Sequence, residues 1–479
     1  MHVVVWPLLL LSLSNAATIQ NLPGLSDAIS FKHYSGFVEA SKNHRYFYWF
    51  VESQNSPSVD PLVIWMNGGP GCSSLGGLLD ELGPYQVNSD GRTLRLNPHG
   101  WNMRANVIFL ESPAGVGFSH TLEPIDVETG AYKTARENYA ALKSFYTLFP
   151  QFKTNDLYLT GESYAGIYIP MFAKEILDGQ DDYPINFKGF AIGNGLMNEA
   201  LNTDTLIEFL YYHGMVDENL WQTMQTSCCR GCSDLCPFHN LTTGFCRFQV
   251  EHLYSFAWGE GGLNPYDLYR KCDLTPGGVL RQPYSNRYFV DAYGLAHGSV
   301  RASVKQLRQR LQDKEEAETM VVPIATPICI NGTAIGLYLN RPDVREALGV
   351  PSFVQPWLDC NPAMGDEDDP LGRTYKKEVF DVAPFVKAAI KAKLKVMLYY
   401  GDTDMACNVL HGQRFAQALG LPLVQAKSTW ELNGQVAGMV TKYRGLDFVT
   451  IKGTGHMAPQ WKPAESHHMI DSFLFDEPY

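Results

Sequence analysis

Three residues far apart in this 479-residue chain stand where strands should end, and together they could carry out acyl transfer. Ser163 lies in Gly161-Glu162-Ser163-Tyr164-Ala165, a variant of the Gly-x-Ser-x-Gly turn with alanine in place of the second glycine. A tight turn from strand to helix exposes a serine hydroxyl, provided the residues two positions away on either side are small. A serine in that position needs a base to take its proton, and the base needs an acid to orient it. The acid candidates are Asp402 and Asp404 in YYGDTDMACN. The base candidate is His456 in IKGTGHMAP, the one histidine of 13 that follows a late strand in a glycine-rich loop. His411, His467 and His468 fall in helical segments and read as surface residues.

Acyl transfer also needs backbone N–H groups aimed at the developing oxyanion. WMNGGPGCSS, residues 65–74, follows a strong strand and offers Gly68, Gly69 and Gly71, where the backbone can approach a ligand closely. Phosphate binding is the competing use of such a loop. The segment has neither the Gly-Lys-Ser/Thr of a P-loop nor the third glycine of a dinucleotide fingerprint. Glu162 poses a separate question, because a negative charge next to the nucleophile would oppose the oxyanion.

The elements that must position these residues alternate between strand and helix. PLVIWMN (61–67), NVIFLES (106–112), DLYLTGES (156–163) and FKGFAIGNG (187–195) are short apolar runs ending in Gly, Ser or Asn, as buried parallel strands should. Between them, ETGAYKTARENYAALKSFYTLFP places Tyr132, Ala135, Tyr139, Leu142 and Phe145 on one helical face. The alternation predicts an α/β domain with a mostly parallel central sheet, its chemistry at the strand ends. After Gly195 the pattern stops. Residues 197–328 carry six clustered cysteines, two apparent helices (200–227) and the charged stretch RASVKQLRQRLQDKEEAE, and read as an inserted cap. KLKVMLYYGDTDMACN and LDFVTIKGTGHMAP then resume the pattern, so the core divides into residues 18–196 and 329–479.

Composition sets the outer limits. A hydrophobic content of 45% suits a large core, and a net charge of −12 argues against a general nucleic-acid binder. The start, MHVVVWPLLLLSLSNAA, reads as a secretory signal ending near Ala17, with an apolar run too short to span a bilayer. No later run is long enough either, so no membrane span is expected, and acyl transfer through a serine calls for no cofactor. Cys228, Cys229, Cys232, Cys236, Cys246 and Cys272 form the cluster, while Cys72, Cys329, Cys360 and Cys407 are scattered. Zinc is the competing reading for Cys229-x-x-Cys232, but an oxidising export route favours disulfides and no metal. Asn240-Leu-Thr and Asn331-Gly-Thr are glycosylation acceptors for the same route.

Taken together, WMNGGPGCSS, ESPAGVGFS, GESYAGIYIP, GNG, GDTDMACN and GTGHMAP resemble the serine carboxypeptidases of the α/β-hydrolase fold, over nearly the whole chain from about Phe31 to Tyr479. The wording is closest to the lysosomal, cathepsin A-type branch of that family. The resemblance implies Ser163 as nucleophile, His456 as base and Asp404 as its partner, with the N–H groups of Gly69 and Tyr164 as the oxyanion hole. It also implies that Asn67, Gly68, Glu81 and Glu162 hold the substrate's terminal carboxylate. Its disulfides map to Cys72–Cys360, Cys272–Cys329, Cys228–Cys246 and Cys229–Cys236. Cys232 has no family counterpart, and Cys229–Cys232 is the alternative pairing. Cys407 would stay free. Excision within the insertion would give two chains, with Arg301, Lys305, Arg308 and Arg310 as basic sites for trimming.

The expected activity is release of C-terminal, preferably hydrophobic, residues from peptides at acidic pH, in the lysosome or after secretion. An acyltransferase on the same scaffold is the enzymatic alternative. A protective role in binding lysosomal glycosidases is the non-catalytic one, and the resemblance also implies a homodimer. Glu81 resolves the question posed by Glu162. Two carboxyl groups close together cannot both ionise cheaply, so one keeps a proton and can donate to the substrate's carboxylate.

Overall fold

The computed structural model describes residues 17–123, 126–231, 236–241, 244–260, 263–273, 327, 329–364 and 374–479. The leader expected before Ala17, Cys232 and the basic sites of the excision segment lie outside the described residues.

A sheet of twelve strands runs through the core. Its principal strands are β1 (His33–Glu39), β2 (His44–Val51), β3 (Leu62–Met66), β4 (Asn106–Leu110), β5 (Leu157–Glu162), β6 (Phe187–Gly193), β7 (Lys395–Gly401), β8 (Leu423–Leu432), β9 (Gln435–Tyr443) and β10 (Leu446–Ile451). Side by side their order is β1-β2-β4-β3-β5-β6-β7-β10-β9-β8. From β4 across to β10 every neighbouring pair is parallel, and antiparallel pairs form both margins. The helices that matter here are α1 (Ala131–Leu148), α2 (Ala165–Asp178), α3 (Glu199–Tyr212), α4 (Glu218–Thr223), α5 (Gly244–Ser255), α6 (Ala383–Lys391), α7 (Val409–Ala418) and α8 (Pro463–Phe475). None of the described helices is long and apolar enough to cross a membrane.

Strand β3 explains the apolar runs. Ile64 and Met66 pack into one core with Leu142 and Phe145 of α1, Ile167 and Phe172 of α2 and Val386 of α6. Val63 and Trp65 point the other way, into a second core with Met469 and Phe473 of α8. A strand covered on both faces has no position for a polar side chain, so its period of two disappears from the sequence. Helix α1 buries Ala135, Leu142 and Phe145 as expected, but Tyr132 in its first turn stays 44% exposed.

A third apolar cluster unites Phe209 of α3, Trp221 of α4, Val250 and Leu253 of α5, Phe238 and Trp258. Met405 and Ala406, from the loop after β7, belong to it as well. Disulfides Cys228–Cys246 and Cys229–Cys236 lie within this region, Cys272–Cys329 joins its far end to the returning chain, and Cys72–Cys360 pins the glycine-rich loop.

One buried ion pair also ties this cluster to the core. Arg414 of α7 meets both carboxylate oxygens of Glu208 on α3, whose side chain is only 2% exposed. Replacing Arg414 with Met would leave the carboxylate buried without its cation, and removing one partner of such a pair costs about 3–5 kcal/mol. Urea unfolding of Arg414→Met, followed by tryptophan fluorescence, is expected to show a loss of that size; an unchanged midpoint would mean the pair contributes nothing to docking.

Candidate active site

Strand β5 ends at Glu162 and α2 begins at Ala165, which puts Ser163 in the turn between them. Its φ of 63° lies in the left-handed region that a residue with a side chain normally avoids. Three hydrogen bonds hold it there. The Ser163 N–H donates to Gly193 O at 3.1 Å, and its carbonyl accepts from the N–H groups of Gly166 and Leu196, each at 2.9 Å. A Cβ on Gly161 would lie 2.4 Å from Met66 O and 2.7 Å from the Cβ of Ala165. Glycine is therefore required at 161, and that absence makes room for alanine at 165.

The loops after β7 and β10 bring Asp404 and His456 together. Asp404, fully buried, accepts from the N–H groups of Ala406 (2.9 Å) and Cys407 (3.1 Å) and from Asn194 Nδ2 (3.0 Å). A carboxylate surrounded by donors acts only as an acceptor, so His456 Nδ1, 2.7 Å from Asp404 Oδ2, carries the proton. Nε2 is then left as the basic nitrogen. Asp402, the other acid candidate, instead accepts the Gly453 N–H at 2.7 Å and braces the turn leading to His456.

Two positioning residues gave no chemical signal in the sequence. Asn194, just past β6, has a φ of 37° and is held by Tyr399 O and by both backbone groups of Gly401. Its amide then reaches Asp404. Its only advertisement is its place between glycines at a strand end. Segment Asn264–Leu268 forms a strap over both loops. Pro265 O accepts from Met405 and Ala406, Leu268 N–H donates to Thr403 O, and Tyr266 O accepts the His456 N–H at 2.8 Å. The Tyr266 ring lies 5.1 Å from the imidazole. A Cβ on Gly455 would sit 1.9 Å from Tyr266 O, so the strap fits only against glycine.

The glycine-rich loop lies against the elbow. A Cβ on Gly68 would be 2.4 Å from Tyr164 N and 2.7 Å from Ser163 Cβ. Gly69, with φ 108°, follows at the sharp bend. The Asn67 amide oxygen accepts from Trp65 Nε1 (2.7 Å) and Gly77 N (3.2 Å), which fixes the orientation of its NH2 group. That group donates to Glu81 Oε1 and to Glu162 Oε1, both at 3.0 Å. Burial pushes Glu81 up to about 7. Burial and the charge of Glu81 push Glu162 well above the usual carboxylate range. The charges of the two carboxyl groups act on each other, and their buried Oε2 atoms have no hydrogen-bond partner among the described residues.

A serine, an oriented imidazole and a buried acid at the ends of a parallel sheet match a known pattern throughout the chain. Residues 23–476 match the model of the serine carboxypeptidase family. The chain belongs to that family. The enzyme is 39% identical to the lysosomal protective protein of Mus musculus, with 96% of this chain and 94% of the relative covered. It is 37% identical to serine carboxypeptidase ctsa-4.1 of Caenorhabditis elegans, covering 96% and 93%. The crystal structure of Kex1(delta)p, a prohormone-processing carboxypeptidase from Saccharomyces cerevisiae, superposes with a TM-score of 0.68 at 21% identity, covering 96% of this chain and 95% of that one. At that identity the likeness concerns the fold, which is that of the α/β-hydrolases.

The remaining expected residues are placed as follows. Asn240 and Asn331, the sequon asparagines, are exposed, and the thiol of Cys407 is free and buried. His411 corrects the expectation of a surface residue. It is completely buried, accepts the Asn198 N–H at Nε2 (3.2 Å), and burial pushes it down to about 3. His467 and His468 are half-buried.

Asn194→Ala is expected to lower kcat by roughly ten- to a hundredfold with little change in KM, because a hydrogen bond to a charged group is worth about 1.5–3 kcal/mol. Steady-state kinetics on a blocked dipeptide tests it, and an unchanged kcat would remove Asn194 from the acid's support.

Proposed function

We propose that this enzyme removes single residues from peptide C-termini through an acyl-enzyme on Ser163, at acidic pH and with a preference for hydrophobic residues. One arrangement carries this reading: Asn67 bridges Glu81 and Glu162 next to the elbow, where Gly68 touches Ser163. A carboxylate bound there would accept hydrogen bonds from the Asn67 amide, the Gly68 N–H and a protonated glutamic acid. Glu162 directly precedes Ser163, so a terminal carboxylate held there would bring the last peptide bond to the nucleophile.

In the proposed reaction the Ser163 hydroxyl attacks the carbonyl of that bond as its proton passes to His456 Nε2. Asp404 stabilises the imidazolium through Nδ1–H. The N–H groups of Gly69 and Tyr164 receive the oxyanion. The proton then moves to the leaving amine, the free amino acid departs, and water, activated by the same imidazole, releases the shortened peptide.

The pH dependence follows from the carboxyl pair. A peptide's terminal carboxyl is ionised above about pH 4, whereas burial pushes Glu81 up to about 7 and burial with the charge of Glu81 holds Glu162 well above the usual carboxylate range. Between these limits an anionic substrate meets neutral donors. Above them it meets a negative charge, so affinity should fall as pH rises. Four disulfides and exposed sequons suit an oxidising export route, and the lysosomal name of the mouse relative supports an acidic destination.

Blocked dipeptides provide the test. Ser163→Ala should lose activity by several orders of magnitude while remaining folded. In the wild type, KM should climb from about pH 5 to about pH 8, and Glu162→Gln, which keeps a donor but cannot ionise, should make that climb shallower. Residual hydrolysis by Ser163→Ala at the wild-type rate, or identical KM profiles, would overturn the respective assignment.

A further inference from the structure

A second histidine is paired with a buried acid, and the proposed reaction does not use it. His44, 1% exposed at the start of β2, has both ring nitrogens in front of hydrogen-bond acceptors. Nδ1 lies 2.8 Å and 2.9 Å from the two carboxylate oxygens of Glu137, a buried residue of α1. Nε2 lies 2.9 Å from the backbone carbonyl oxygen of Asp126. A carbonyl cannot donate, and Glu137 already accepts the Tyr46 hydroxyl at 2.8 Å. A neutral imidazole carries one N–H, so beside an ionised Glu137 it would turn its lone pair on one of these acceptors. Both contacts are made only when the ring and Glu137 together hold a second proton.

What the ring holds is the segment that leads into α1. Asn43 Nδ2 (3.1 Å) and Lys133 Nζ (2.8 Å) donate to the Asp126 carboxylate, and Lys133 Nζ also donates to Glu128 O at 2.9 Å. Thr129–Gly130 then pairs in parallel with Tyr375–Lys376. The Thr129 N–H donates to Thr374 O at 2.5 Å, Lys376 meets Glu128 at 3.0 Å, and the Tyr132 N–H donates to Glu378 Oε2 at 3.2 Å. The buried ring of Tyr375 stands edge-on to Tyr164, with centroids 5.7 Å apart, and to Tyr168 of α2 at 6.1 Å. Tyr164 directly follows the nucleophile and supplies an oxyanion N–H in the proposed reaction. Asp126, Thr129 and Tyr375 thus join His44 to the elbow.

We propose that His44 is a positioning residue for the elbow: as an imidazolium it fastens the segment from Asp126 to Gly130 and, through Tyr375, steadies Tyr164, whereas loss of its proton slackens that support. The role given to Tyr164 rests on the acyl-transfer reading above. Other charged groups face the ring from each neighbouring element. Helix α1 brings Lys133 beside Glu137, and the segment before it brings Asp126. Strand β2 brings Tyr46 and Arg45, which bonds the His44 carbonyl at 3.0 Å and stands opposite His120 on the neighbouring strand. Burial works against the imidazolium, as does the charge of Lys133, but Glu137 and the Asp126 carbonyl outweigh them and hold His44 above its ordinary range. A histidine raised by folding keeps its full stabilisation below its unfolded value of about 6.5 and loses it as pH climbs through the folded value. The support is therefore complete in acid and weakens above about pH 6.5.

The test reads the segment and the elbow separately. In the wild type, hydrogen–deuterium exchange at the Thr129 and Tyr132 amides, corrected for intrinsic rates, should show protection falling roughly tenfold or more from about pH 5.5 to about pH 8, as expected for a lost hydrogen bond to a charged group. His44→Lys keeps the charge and does not titrate in that range, so it should hold the acid value at both; His44→Gln should show the low value at both. A serine-directed phosphonate without a terminal carboxylate reports on the elbow without engaging Glu81 and Glu162. It should inactivate His44→Gln several-fold more slowly than wild type at about pH 5.5 and at an equal rate at about pH 8. Wild-type protection independent of pH, a fall that persists in His44→Lys, or a variant-to-wild-type inactivation ratio that does not move with pH would overturn the proposal. A phosphonate that fails to label even the wild type would instead sink the acyl-transfer reading on which the proposal rests.

Discussion

Burial of ionisable oxygen in one small volume is the constraint around which this molecule is arranged. Glu81 and Glu162 share the amide of Asn67, and Asp404 lies fully buried beyond them, its charge acting on Glu162. Three carboxyl groups so enclosed cannot all be charged, and the structure treats them differently. Asp404 is surrounded by N–H donors and paired with an imidazole, which suits an anion. The glutamates receive one amide between them and otherwise face each other, which suits the protonated form. On the proposed reading the same chemical group, a carboxyl, anchors a cation at Asp404 and donates a hydrogen bond as a neutral acid at the glutamates.

The consequence extends to stability. Glu81, Glu111 and Asp359 are pushed up to about 7 and Asp80 to about 6, in each case chiefly by burial. A carboxyl whose pKa is raised by folding binds a proton in the folded protein that the unfolded chain has released. These groups leave stability intact below the ordinary carboxyl range and erode it as pH rises from there towards 7. Glu111 contributes to structure alone, receiving Ser73 Oγ, Trp357 Nε1 (2.8 Å) and the Phe118 N–H (2.7 Å), and so holding the glycine-rich loop to its disulfide. The scaffold therefore favours acidic conditions for the same physical reason that the proposed function of the carboxyl pair invokes.

Much of this was legible in the sequence, and the exceptions share a cause. Strands β3 to β7 and β10 were legible because both faces are buried, leaving uninterrupted apolar runs. The hairpin of β8 and β9 was not, because β8 exposes most of its residues and only Trp430 is buried. Its turn, Asn433-Gly434, carries the positive φ angles that make Asn-Gly a hairpin signal, and it was the available clue. The placement of Ser163, Asp404 and His456 was legible because each follows a strand, and Asp404 and His456 meet as their spacing predicts. Asn194 and Tyr266 act through an amide and a carbonyl, groups that do not distinguish them from any other Asn or Tyr. His411 misled because a histidine in a helical pattern reads as polar, whereas α7 packs it against Tyr400.

The strap at Asn264–Leu268 shows how the segment between the two halves of the sheet reaches the candidate active site. Its carbonyls meet the N–H groups of Met405, Ala406 and His456, so the loops carrying acid and base share one clamp. Cys272, a few residues on, is bonded to Cys329, where the chain returns to the core. On the other side of the elbow, Cys72–Cys360 fixes the loop bearing Asn67 and Gly68. Ser163 stands at the end of a central strand between two loops that are each covalently restrained. Left-handed backbone at Ser163 and Asn194 costs on the order of 1–3 kcal/mol apiece and persists only where the surroundings over-determine it. Those surroundings come from residues as far apart in the chain as Gly166 and Gly401, which makes the geometry of the site a property of the whole fold.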